Sequence, residues 1–377
     1  MKAYVYTDKG LERYAGRFVW LSINTENAAN AAFLKKYPIP ALPTLLVLDA
    51  KRDTVALRYV GGATVPHLQK LLGESESTYR SRSQSAADAA LVRGDRLASA
   101  GKTVEAAKAF EEAIAAAPKK WARLGRTAEA LMFALSSDNP RCAIRALELY
   151  PRVKGTVSSA NVAATGLSCA ASIGEEHPRR LELIEKLERA TREVFDDPKI
   201  VLSDDDRSGL YLSLIEARDV TGDDEGAIAL KVEWSKFLDA AAARAKTPEQ
   251  RAVYDSHRLS AYLELQMPER AVTMLQQSER DFPDDYNPPA RLALAYKELQ
   301  QYDQALAASD RALARVSGPR RLSVLSVRAD IFEAKGDAKA ARETVAQAIE
   351  YAKSLPEGQR SERRIAALER RLAALAN

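Results

Sequence analysis

The chain predicts an α+β front segment followed by an all-α array, on three observations. Strand-like apolar runs occur only before residue 72. From Ala86 onward apolar residues recur at i, i+3, i+4 and i+7, the spacing of helices that bury one face. Within that helical part a single set of residue offsets returns several times, as in a repeat array. The expected organisation is a front domain over 1–72, a polar linker over 73–85, helical repeats over 86–357 and a capping helix over 358–377.

In the front domain the elements read as follows. Lys2 to Tyr14 is a helix, and Phe18-Val19-Trp20-Leu21-Ser22-Ile23 a strand. Ala28 to Lys36 is a short helix, and Leu42 to Leu48 a second strand, entered through Pro43. Lys51-Arg52-Asp53 turns the chain into a third strand, Val55 to Val60. Gly61-Gly62 breaks that strand, and Val65 to Leu72 closes the domain as a helix. Gly73 to Ser85 is Ser-rich, polar and without apolar periodicity, hence the linker.

Composition bounds the function classes. A chain of 377 residues, 46% hydrophobic and 29% charged, has the length for two or more domains and the make-up of a folded protein. A net charge of +4 is too small to imply a nucleic-acid partner. No apolar run approaches the ~18 residues of a membrane span, and the first residues lack an apolar segment of signal-peptide length. No membrane association and a cytoplasmic location are expected. Cys142 and Cys169 are far apart and fit no metal or redox spacing, so no disulfide is expected and both read as small buried apolar residues.

The helical part supplies the strongest pattern. Gly94, Leu97, Gly101, Ala106, Phe110, Ala113 and Pro118 set the offsets. They return at Leu259, Tyr262, Ala271, Leu275, Ser278 and Pro283, at Ala293, Tyr296, Ala305, Ser309 and Ala312, and at Ala329, Phe332, Gly336, Ala341, Val345 and Ala348. A weaker copy carries Gly222 and Ala227. Small residues let two helices approach closely, and large ones fill the gap to the next pair. This pattern resembles the tetratricopeptide (TPR) repeat, a helix-turn-helix unit that buries its apolar face only by stacking into an α-solenoid. Between Trp121 and Pro248 the lengths drift, but three hairpins are still expected: Trp121–Leu135 with Cys142–Leu149, Ala160–Ser172 with Pro178–Phe195, and Arg207–Val220 with Glu225–Ala243.

The front segment resembles the second half of a thioredoxin-like α/β domain. Ile39-Pro40-Ala41-Leu42-Pro43-Thr44 is similar to the family's loop with a cis X-Pro bond, and Tyr59-Val60-Gly61-Gly62 to the turn after its last strand. The resemblance implies that Leu42 offers its backbone to an extended peptide by strand addition while Pro43 fixes the loop. It also implies a central strand and a Cys-x-x-Cys motif ahead of the first helix, and neither is in this sequence. Either the start lies upstream, the preferred expectation, or the remaining strands rearrange.

Other chemistry finds no support. His67, His177 and His257 do not stand at ligand spacing, so no metal is expected, and no cofactor loop occurs. Asp204-Asp205-Asp206 and Asp223-Asp224-Glu225 suit helix starts, where carboxylates meet free N–H groups. By the tetratricopeptide resemblance, groove candidates are Asp88, Leu91, Asp95, Asn287, Ala290, Leu294 and Lys297. The domain order resembles bacterial chaperedoxins, in which thioredoxin and tetratricopeptide parts are fused. The expected function is non-catalytic binding of protein or peptide clients, with chaperone-like character. The alternatives are a thiol–disulfide oxidoreductase with upstream cysteines and a scaffold for one specific complex.

Overall fold

The computed structural model describes residues 1–80 and 85–375. Among them are two strands, β1 (Thr44–Asp49) and β2 (Thr54–Val60), and eighteen α-helices. The chain divides into two compact units, one of Met1–Arg17 with Tyr37–Trp234, the other of Phe18–Lys36 with Ser235–Asn377. Residues 37–80 thus share a unit with the first helical hairpins, and residues 18–36 share one with the last.

In the first unit, β1 and β2 form an antiparallel hairpin and no third strand joins it among the described residues. This corrects the thioredoxin-like expectation, because a single two-stranded hairpin is not a thioredoxin-type sheet. The Leu42–Pro43 bond is cis, as the loop resemblance implied. The expected helix over 2–14 is a run of turns followed by a 3-10 helix at Lys9–Tyr14, with Asp8 accepting from the Gly10 N–H.

Helix α2 (Val65–Arg80) runs on through most of the expected linker. Leu68, Leu71, Leu72 and Ser75 are buried, and Gln69 between them donates to the Gly10 carbonyl at 2.9 Å. Glu74 pairs with Arg126 and Glu76 with Arg17, so the segment is polar because it is cross-linked by charge. Residues 81–84 of that linker lie outside the described residues.

The array opens with α3 (Ala86–Ser99) and α4 (Thr103–Ala115), where Ser85 caps α3 by accepting from the Asp88 N–H. The three hairpins of drifting length follow as expected: α5 (Leu124–Leu135) with α6 (Asn139–Val153), α7 (Val157–Ala171) with α8 (Arg180–Asp196), and α9 (Asp204–Thr221) with α10 (Asp224–Ala243). The acidic runs cap helices, as expected. Ser203 and Asp206 make a reciprocal capping box on α9, and Asp223 accepts from the Gly226 N–H at the start of α10.

One correction concerns the cysteines. Cys142 on α6 and Cys169 on α7 are joined in a buried disulfide, Cα to Cα 6.1 Å. They stand 27 residues apart, yet Gly155 at the hairpin turn lies midway, so antiparallel packing of α6 on α7 sets them face to face.

The second unit repeats more regularly. After a short α11 (Pro248–Ala252) come α12 (Asp255–Glu264) with α13 (Pro268–Asp281), α14 (Asn287–Glu298) with α15 (Tyr302–Arg315), and α16 (Arg320–Lys335) with α17 (Ala338–Ser354). The small residues of the offset pattern, Ala271, Ala305 and Ala341, are each fully buried, as are Ser278 and Ala312. Each intra-hairpin turn places one residue in the left-handed region: Gln266, Gln300 and Gly336. The amphipathic α18 (Glu362–Ala374) follows, with Ile365 and Leu368 on the core.

The expected strand Phe18–Ile23 does not form. Instead, residues 24–36 run as a strap against the late repeats. Glu26 accepts from the Arg320 N–H at 2.7 Å, filling the first turn of α16, whose own N-cap residue, Pro319, offers no side-chain bond. Gln359 donates to the Thr25 carbonyl at 2.7 Å, and Lys35 pairs with Glu357 at 2.8 Å. The short helix expected over 28–36 is present as a 3-10 turn leading into α1 (Ala31–Lys36).

Candidate functional site

β2 is buried through most of its length, between α2, α3 and α5. Its outer edge is closed by arginine side chains. Arg96 Nε donates to the Val55 carbonyl at 3.2 Å and Arg126 donates to the Arg58 carbonyl at 3.4 Å.

Arg126 is the centre of this junction. It is 5% exposed and forms ion pairs with Asp95 at 2.8 Å and Glu74 at 3.1 Å. Burial pulls its pKa down, but the two carboxylates outweigh that and hold it above the ordinary guanidinium range. Nearby, burial lifts the Glu129 carboxyl to about 7 against the pull of the Ser158 hydroxyl. His67, stacked edge-on against Tyr59 at 4.9 Å, is pushed down to about 4, by burial first and then by Lys70 and Arg126. Removing one partner from this cluster would leave a buried charge uncompensated.

β1 is the contrary case. The Gly61 N–H donates to the Pro43 carbonyl, which makes 43 and 61 a hydrogen-bonded pair. Alternation along an antiparallel ladder then turns the N–H and C=O of Thr44 and Leu46 away from β2. No strand pairs with that edge among the described residues. Leu42 at its head is 55% exposed and Leu48 near its end 38%. The cis loop and an open strand edge are therefore continuous.

The expected groove residues fare differently. Leu91 and Asp95 are 0% and 1% exposed, under the front hairpin, and Asp95 is spent on Arg126. Neither side chain is open to solvent in this structure. Asp88 accepts from Trp121 Nε1 at 3.0 Å and pairs with Arg123 at 3.1 Å. On α14, Ala290 and Leu294 are half-buried against neighbouring clusters, Asn287 donates to Asp285, and Lys297 pairs with Glu298 at 3.0 Å.

Sequence reasoning missed a second feature, between α12 and α13. A groove of about 570 Å³ is lined by Arg251, Arg258, Arg270 and Arg280, with Tyr262 and Met274. Arg270 and Arg258 stand over the Tyr262 ring at 4.6 and 5.7 Å from its centroid. Asp239 accepts from Arg258 at 2.9 Å, from Arg270 at 2.7 Å and from the Tyr262 hydroxyl, and Asp281 pairs with Arg251. The signal was present in Arg258, Tyr262 and Arg270, one helical turn and then one inter-helix turn apart, but only the fold brings them together.

No protein-family profile matches the chain, and no curated protein matches it. Among solved structures it is similar to a thermophilic TPR protein of Thermus thermophilus, at 17% identity and a TM-score of 0.27, over 77% of this chain and 99% of that one. It is similar also to the TPR2AB domain of yeast Sti1 in its pHSP90 complex, at 16% identity and a TM-score of 0.28, over 76% and 98%. A third is a signal-transduction ATPase with a tetratricopeptide repeat sensor from Pyrococcus horikoshii, at 13% identity and a TM-score of 0.39, over 98% of this chain and 62% of that one. The fold itself is an array of helical hairpins in which the small residues of the repeated offsets are buried. No described helix is long and apolar enough to cross a membrane.

Proposed function

We propose that the chain is a non-catalytic protein-interaction scaffold whose front hairpin takes an extended polypeptide by strand addition at β1. The observation that carries this is the open edge of β1, headed by the exposed Leu42. Outward N–H and C=O groups at Thr44 and Leu46 would pair with the incoming backbone, and Leu42 and Leu48 would meet its side chains. The junction through Arg126 supports the reading, because it fixes β2 and leaves only β1 to act as the receiving edge.

Chaperone-like holding of unfolded clients is the second form of this reading. Val19 and Leu21, 89% and 78% exposed, favour it as apolar surface adjoining the strap. Thiol–disulfide exchange is not supported by this chain's own residues, since its two cysteines are bonded to each other and none is free. That bond also removes the ground for a cytoplasmic location, and supports an oxidising compartment.

The test uses the full chain and a carboxymethylated, permanently unfolded polypeptide, followed by hydrogen exchange. Binding should slow exchange in peptides spanning 42–49 while leaving those of β2 unchanged. Saturable binding with no protection over 42–49 would refute strand addition at β1.

A further inference from the structure

We propose that the arginine-lined groove between α12 and α13 is a second binding site, for an acidic peptide segment of a partner protein; the inference rests on the scaffold reading above. Each guanidinium carries five N–H donors in a rigid fork. The bonds made within the chain occupy few of these: Arg280 donates to Gln277 at 2.7 Å, and the other three share Asp239, Asp281 and the Tyr262 hydroxyl. Four cations face three carboxylates, Asp239 and Asp281 in direct ion pairs and the buried Asp255 through its interaction with Arg251 and Arg258, so the groove keeps a small surplus of positive charge and a larger one of donors.

The groove already shows how it grips a carboxylate. Asp239 lies between Arg258 and Arg270, with the phenol of Tyr262 as a third donor. Those bonds hold the guanidinium planes of Arg258 and Arg270 in place, so a ligand need not order them, which favours bidentate recognition of carboxylates. Met274 and the ring of Tyr262 lie buried beneath the guanidinium groups, so what the groove offers a ligand is chiefly positive charge and N–H donors, which suits an acidic segment. A nucleic-acid backbone would need a longer track of cations than one groove affords.

The experiment measures fluorescence polarisation of a labelled (Glu-Ala)4 peptide with the full chain, beside (Lys-Ala)4 and an eight-nucleotide thymidine strand. Saturable one-to-one binding of the acidic peptide is expected, at least tenfold weaker in R270E/R280E and between threefold and tenfold weaker in R270K/R280K, which keeps the charge but loses the guanidinium fork. Arg280 is exposed and bonded to Gln277, so R280E alone keeps the fold and should still cost at least threefold. No saturable binding, unchanged affinity in R280E and in the double variant, or tighter binding of the thymidine strand would each overturn the assignment. Protection of β1 by an unfolded client is read separately. If it persists while the acidic peptide fails to bind, only the groove assignment falls; if acidic-peptide binding persists without it, only the strand-addition reading falls.

Discussion

At the scale of single residues, the junction behind β2 governs how stability depends on pH. The Glu129 carboxyl, lifted by burial from 4.5 to about 7, binds its proton more tightly folded than unfolded. Its contribution is therefore present in full below the unfolded value and is lost as pH rises through about 7. His67 has the opposite sign: its pKa falls from 6.5 to about 4, so acidification through that window destabilises the fold. Between about 4.5 and 6.5 the two slopes oppose each other, and above that only the loss from Glu129 remains. Glu129→Gln imitates the protonated acid. Urea midpoints measured from pH 4 to 8 should coincide with wild type at the acid end and exceed it at pH 8, by roughly 3 kcal/mol at most. A variant curve parallel to wild type would show that Glu129 ionises freely in the fold.

At the scale of elements, the repeat turns and the α6–α7 hairpin carry opposite lessons. Gln266, Gln300 and Gly336 hold the same left-handed position in successive hairpins, and only the last is glycine. A side chain there costs about 1–2 kcal/mol, which glycine avoids at a smaller entropic cost. Gln300→Gly should raise stability by up to about 1 kcal/mol in thermal or urea unfolding, with no change in helix content. The repeat itself was legible because close helix contact demands small residues, and Ala271, Ala305 and Ala341 are where the offsets put them. The disulfide was not, because spacing rules treat residues 27 apart as unrelated, whereas a hairpin frame makes positions equidistant from Gly155 neighbours. Replacing both cysteines by alanine should cost about 3–4 kcal/mol on the loop-entropy account. Thiol titration of the unfolded, unreduced chain should find no free thiol, and two after reduction.

At the scale of the whole molecule, the readings that failed are those whose partners lie far away in sequence. Phe18–Ile23 has the β-branched and aromatic make-up of a strand, but that make-up does not say which surface receives it. The polar run after Leu72 looked like a linker because Glu74 meets Arg126 and Glu76 meets Arg17, 52 and 59 residues away. The open edge of β1 was legible in part, since Leu42 and Pro43 marked the loop, but the arginine groove needed the packing of α12 on α13.

The strap makes the same point in a form that can be tested. Gly358 sits so close to it that an added Cβ would stand 2.0 Å from the Ala31 carbonyl oxygen and 2.7 Å from the Lys35 nitrogen. Both neighbours are backbone, which cannot swing aside as a side chain can. Gly358→Ala must therefore push residues 31–35 off the late repeats, losing the Lys35–Glu357 pair and straining the Gln359 bond to Thr25. Overpacking of this kind costs about 1–3 kcal/mol. Because α16 and α17 bury their own core through Leu325, Ala329, Val345 and Ala348, the helices should remain folded while the strap loosens. Hydrogen exchange should then quicken over residues 24–36 and stay slow over 320–354. Equal protection of the strap in variant and wild type would show that it can shift without leaving the repeats, and that Gly358 is not what holds it there.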